Sequence, residues 1–154
     1  MAKSVFGFVK AEDSPGFLLW QTTITWQRLI KKALDPHHIS HAQFVILAIT
    51  LWHENHNEEV SQSLLIHQSK LDKMTISKAL KKLATQSYIQ HVEHHQDTRA
   101  KSVHLTKKGK TMAAKLVPLI EQIDKAFFGT IVKSEQQSLI GILHSLVSKA
   151  NAAT

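Results

Sequence analysis

From His37 to Lys108 the chain has neither a glycine nor a proline. Elsewhere these residues are sparse: Pro15, Gly16, Pro36, Gly109, Pro118, Gly129 and Gly141. A chain so poor in turn formers cannot be a loop-rich β-protein, and its long uninterrupted stretches favour helices. Capping residues stand where such helices would begin. Ser14 precedes Pro15, pairing a hydroxyl with a residue of preset φ, and Asp35-Pro36 closes the stretch that follows. Within it Phe17, Trp20, Ile24, Leu19, Trp26, Ile30 and Leu34 recur at helical spacing, over an arc wide enough to bury more than one face. Residues 1–13 read as a loosely held arm.

Ser40 is placed to cap a second helix over 41–53, with Phe44, Leu47, Ala48 and Leu51 on one face. A short third helix over 60–68 carries Leu64 and Leu65. After a tight Ser69-Lys70-Leu71 link, Asp72 caps a fourth over about 73–86. A short helix, a tight turn and a longer helix make a helix-turn-helix pattern. Ile89 and Val92, then Val103 and Leu105, flank a polar tip and predict a two-stranded hairpin. Thr106 caps a fifth helix, which Pro118 is expected to kink and Gly129 to end. Ser134-Glu135-Gln136-Gln137 predicts a capping box for a last helix with Leu139, Leu143, Leu146 and Val147 as its stripe.

Charge is confined to one part of this layout. Between Lys70 and Lys115 lie ten lysines and Arg99 against Asp72, Glu93 and Asp97, a formal +8. The remainder, with eight basic and nine acidic residues, is close to neutral, so the net +7 sits in that segment. Concentrated positive charge suits a polyanion, since each neutralised phosphate releases counterions. On the fourth helix Ile76, Ala79, Leu80, Leu83 and Ala84 share one arc. Met74, Thr75, Ser77, Lys78, Lys81, Lys82 and Thr85 share the other, with no acidic residue among them. A merely solubilising face mixes signs through i,i+4 pairs. Short polar groups between long basic ones suit contact with base edges. The basic segment has only Tyr88 as an aromatic, so it lacks stacking platforms for single strands, and duplex DNA is favoured over RNA.

Other chemistries are thinly represented. There is no cysteine, which excludes disulfides, thiolate metal sites and a thiol nucleophile. No Gly-rich phosphate loop, nucleophile elbow or apolar-embedded carboxylate pair occurs, so the chain is not read as an enzyme, and no cofactor is implied. No apolar run approaches the roughly 18 residues of a membrane span, and the N-terminus lacks a signal-peptide core, so a cytoplasmic protein is expected. Eleven histidines cluster as His37, His38 and His41, His53 and His56, and His91, His94 and His95. His53-Glu54-Asn55-His56 is one residue short of the zincin spacing. The weak metal candidates are therefore His37, His38, His41, His53 and His56, as a His and carboxylate set, with exposed loop histidines as the plainer reading.

Two stretches, DKMTISKALKKLATQSYI and DTRAKSVHLTKKG, resemble the recognition helix and the wing of the MarR family of winged-helix transcriptional regulators. The second is the more specific, matching at Asp97, Arg99, Leu105, Thr106 and Gly109. The resemblance in layout runs from about residue 15 to 150. It implies a mainly α fold: a winged helix-turn-helix lobe over about 40–106 with a small β-wing, and long terminal helices, about 14–34 and 107–150, that interleave in a homodimer. Residues 14–150 then form a single domain. The resemblance further implies that Arg99 enters a minor groove with Asp97 orienting it, while Thr98 and Lys101 flank it on the wing. Lys73, Met74, Thr75, Ser77, Lys78, Lys81 and Lys82 would meet the major groove, Met74 either touching a thymine methyl or packing under the wing. The implied function is a repressor of a pseudo-palindromic operator, relieved by a small phenolic or lipophilic effector that Trp20, Trp26 and Trp52 would line. A zinc-responsive regulator and a His-ligated metallohydrolase are the alternatives.

Overall fold

The computed structural model describes residues 3–93 and 101–153. Six helices and one hairpin follow in order: α1 Pro15–Leu34, α2 His41–Asn55, α3 Gln62–Ser69, α4 Lys73–Thr85, β1 Ile89–Glu93, β2 Lys101–Leu105, α5 Lys107–Phe128 and α6 Lys133–Ala153. The first five helices start behind side-chain caps. The oxygens of Ser14, Ser40, Ser61, Asp72 and Thr106 accept the backbone N–H of Phe17, Gln43, Leu64, Thr75 and Gly109. Each cap satisfies a donor that the first helical turn leaves unpaired.

α2 is the centre of the molecule, touching α1, α3, α4, α5 and β2. Its Ile46 and Leu47 are fully buried with Ile30 and Leu34 of α1, Leu65 of α3, Ile76, Leu80 and Leu83 of α4, and Leu116 of α5. Each such side chain contributes about 1.5–3 kcal/mol by leaving water. The strands pair antiparallel, Ile89 opposite Leu105 and Glu93 opposite Lys101. Val60 joins this sheet: its carbonyl accepts Val103 N–H at 2.8 Å, and Ser61 bridges Ser102. The third helix thus begins at Gln62 and not at 60, because Val60 is claimed by the wing.

The outer helices depart from expectation. α6 starts at Lys133, so Ser134 lies inside the helix and is not its cap. No described residue of α6 is buried, and Ile140, Leu143, Leu146 and Val147 are all exposed. On α1 only Ile30 and Leu34 are buried, while Phe17, Leu18, Leu19, Trp20 and Leu29 are exposed. The expected second buried face of α1 is therefore open in one protomer. Ala84, expected on the buried arc of α4, is also exposed. Among the described residues no helix is long and apolar enough to cross a membrane.

Candidate nucleic-acid interface

α4 presents its basic arc outward because the opposite arc, Ile76, Ala79, Leu80 and Leu83, is anchored in the core. Lys73, Met74, Ser77, Lys78, Lys81 and Lys82 are exposed, and Thr75 is half-buried. The structure therefore brings these seven expected contact residues onto one helix. Met74 is 83% exposed, which removes the alternative of a residue packed beneath the described part of the wing. Lys73, Lys78, Lys81 and Lys82 have no acidic ion-pair partner among the described residues. Their charge is left for an outside anion.

The N-terminal end of α4 is held by two devices. Asp72 accepts from the Thr75 N–H and from the Thr75 hydroxyl, each at 2.8 Å. Those bonds hold the Asp72 carboxyl below its ordinary range, the backbone bond most strongly. With its proton committed to Asp72, Thr75 keeps only acceptor capacity for a ligand. Gln62, the first residue of α3, donates to Ser77 Oγ at 2.8 Å and ties the two helices of the motif together. Between them, Lys70 closes α3 in the left-handed conformation with φ 63°. The role of Gln62 escaped the sequence reading, since nothing local marks a pair fifteen residues apart.

The hairpin leaves the far end of α4, and its base is fixed to α5. Thr106 donates to the Ser87 carbonyl at 2.6 Å, and Lys108 Nζ lies 4.8 Å from the centre of the Tyr88 ring. Asp97, Thr98 and Arg99 fall outside the described residues, and Lys101 opens β2.

The histidines do not converge. His37 and His38 lie in and just after the turn before α2 and His41 is its first residue, whereas His53 and His56 lie at its other end. At 1.5 Å per residue, His41 and His53 are about 18 Å apart along the axis. Both ring nitrogens of His53 already have partners, Glu58 at 2.8 Å and Gln68 at 3.0 Å, and His56 Nδ1 meets the Trp52 carbonyl at 2.7 Å. Among the described residues no three His, Asp or Glu side chains are grouped to hold a metal. The zinc and metallohydrolase alternatives have no site here.

The tryptophans are likewise dispersed. Trp26 is half-buried, donates to Asp124 at 2.6 Å and meets the His41 ring edge-on. Trp52, eleven residues beyond His41 on α2, is about 16 Å farther along that helix and stacks on His56. Trp20 is 65% exposed, about 9 Å along α1 from Trp26. One protomer does not gather them into a pocket.

Comparison with known proteins agrees with this architecture. Residues 35–123 match the ArnR1-like winged-helix domain family. The chain is 37% identical, over 83% of its length and 87% of the relative's, to the HTH-type transcriptional regulator YdcH of Bacillus subtilis. Among solved structures, Bordetella bronchiseptica BpsR superposes with a TM-score of 0.80 at 19% identity, covering 92% of this chain and 98% of that one; its DNA binding is regulated by 6-hydroxynicotinic acid. A mutant MarR of E. coli, complexed with operator DNA, superposes with a TM-score of 0.75 at 20% identity, covering 88% and 95%. A helix-turn-helix with an outward basic arc, a hairpin packed behind it and long helices at both termini match these relatives in order and extent. The chain belongs to the MarR family of winged helix-turn-helix transcriptional regulators.

Proposed function

We propose that the protein works as a homodimer in the cytoplasm and binds a pseudo-palindromic operator, with α4 in the major groove and the wing in the adjacent minor groove. The observation that carries this reading is the outward arc of α4, four lysines with no acidic partner among the described residues, backed by a buried apolar arc. Lys73, Lys78, Lys81 and Lys82 supply phosphate attraction, Ser77 and Thr75 polar contact, and Met74 an apolar contact for a thymine methyl. Asp97, Thr98, Arg99 and Lys101 form the minor-groove element, on the strength of the DTR motif alone.

Dimerisation follows from surface that one chain leaves open. α6 buries nothing, and α1 exposes a run from Phe17 to Trp20. A second copy covers both, with residues 14–34 and 107–150 as the dimer region and 40–106 as the DNA-reading lobe. Two lobes related by a two-fold axis then meet successive major grooves about 34 Å apart. Repression relieved by a small molecule completes the proposal. BpsR offers the parallel, and a cleft of about 530 Å³ lies between the end of α1 and α4.

The test begins with an operator selected by the protein from random duplexes. Lys78→Ala and Lys81→Ala should each weaken binding, each lowering the slope of log affinity against log salt by about 0.9. Arg99→Ala should weaken binding and relax preference at A·T-rich flanks. Unchanged binding in all three variants would refute the assignment.

A further inference from the structure

A chain of amide hydrogen bonds joins the C-terminal end of the recognition helix to the segment leading out of α1. Gln43, in the first turn of α2, is 1% exposed. Its Oε1 accepts the Ser40 N–H at 2.8 Å, and its Nε2 donates to Gln86 Oε1 at 2.6 Å. Gln86 is the C-cap of α4, and its own Nε2 donates to the His38 carbonyl at 3.0 Å. His38 ends the 3₁₀ turn Asp35–His37, which continues from α1, in the left-handed conformation with φ 56°.

Only half of this arrangement is needed to begin α2. The capping box is complete with the Ser40 hydroxyl and Gln43 Oε1. The Nε2 half of Gln43 serves no helix end of its own, yet it is buried, where an unpaired amide is costly and an apolar side chain would be simpler. The remaining contact between α4 and α2 is apolar and so has little directionality. Hydrogen bonds are directional, and these two tie α4 to the segment between α1 and α2.

We infer that Gln43 and Gln86 are positioning residues that fix the angle of α4 to α1, and so set which operator half-site spacing the dimer accepts. The inference rests on the dimeric DNA-binding reading above. The N-terminal end of α4 is already pinned by Asp72 and by Gln62, so freedom at the Gln86 end becomes tilt. A 13-residue helix is about 20 Å long, and a 1 Å slip at one end rotates it by about 3°. If the lobe turned with it, at about 17 Å from the two-fold axis that rotation would move each reader about 0.9 Å. The two shifts together exceed half of the 3.4 Å base-pair rise.

The experiment uses the full-length protein and its selected operator, with versions lengthened or shortened by one base pair between the half-sites. Gln86→Leu breaks the chain at the surface end. Gln43→Leu with Gln86→Leu removes both amides, so that neither side chain leaves an orphan of the other, and should unfold closer to wild type than Gln86→Leu alone. Wild type should prefer the selected spacing by about tenfold or more, and both variants by no more than about threefold; tenfold corresponds to about 1.4 kcal/mol. A purely structural role would instead lower affinity for all three spacings in parallel and leave their ratio unchanged. A retained tenfold preference in both variants overturns the inference, as does a wild type indifferent to spacing. A wild type that binds no duplex at all overturns the dimeric operator reading itself.

Discussion

At the start of α5, Gly109 is buried against the link between α4 and β1, and a Cβ added there would run into the backbone of Tyr88. The same backbone carbonyl accepts the Thr106 N–H at 3.0 Å, so the wing base and the α5 cap meet at one point. Neither partner is the flexible end of a side chain, and the collision can be relieved only by moving a helix. Gly109→Ala should therefore destabilise the fold by about 1–3 kcal/mol, read from urea unfolding, despite the better helix propensity of alanine. An unchanged midpoint would show that α5 can shift without cost. At this scale the sequence was legible where a residue acts on its immediate neighbours. Ser14, Ser40, Asp72 and Thr106 cap the helices that their spacing predicts. Gln62, Gln43 and Gln86 were not legible, because their partners are fifteen to 48 residues away and a polar side chain carries no mark of its partner.

Among the elements, α6 is the one whose apolar stripe finds no place in the protomer. Ile140 is 68% exposed and Leu146 57%. Ile140→Glu with Leu146→Glu should leave the core from Ile30 to Ile120 intact while shifting the protein to a monomer, seen by sedimentation or light scattering. Operator affinity should fall with it, by about tenfold or more, because one reader then binds alone. A dimer that survives both charges would move the interface elsewhere. Helical periodicity showed that α6 and α1 had apolar stripes, but a stripe does not say whether its cover comes from the same chain. For the same reason the three tryptophans looked like one pocket in the sequence and are spread over α1 and α2 in the fold. α3 was placed two residues early because Val60, apolar in either setting, pairs with β2.

For the molecule as a whole, two histidines on α2 act in opposite directions with pH. His53 is buried, and its pKa is raised above the ordinary 6.5 by its bonds to Gln68 and then to the Glu58 carboxylate, against the opposing effect of burial. Its charged form is the one the fold favours. The stability it adds is fully present below pH 6.5 and is lost as pH rises through the raised value. His41 is the converse: burial lowers its pKa, with Asp124 opposing, so its neutral form is favoured and its contribution declines as pH falls below 6.5. The stability gap between wild type and His53→Leu should narrow from pH 6 to pH 8, and the gap to His41→Leu should widen. Urea unfolding at the two pH values measures both, and gaps that stay constant would count against these protonation states. The charge map needed no structure to be read, since the +8 segment is contiguous. What the fold added is that its helical portion faces one way.

The bare stripe of α6 has a further meaning for control. If the two-fold operator is read only by paired chains, then below the association constant its occupancy rises with the square of chain concentration. A modest change in synthesis becomes a sharper change in output. On this reading the uncovered helix works as a threshold, set by how weakly two copies hold each other in the absence of DNA.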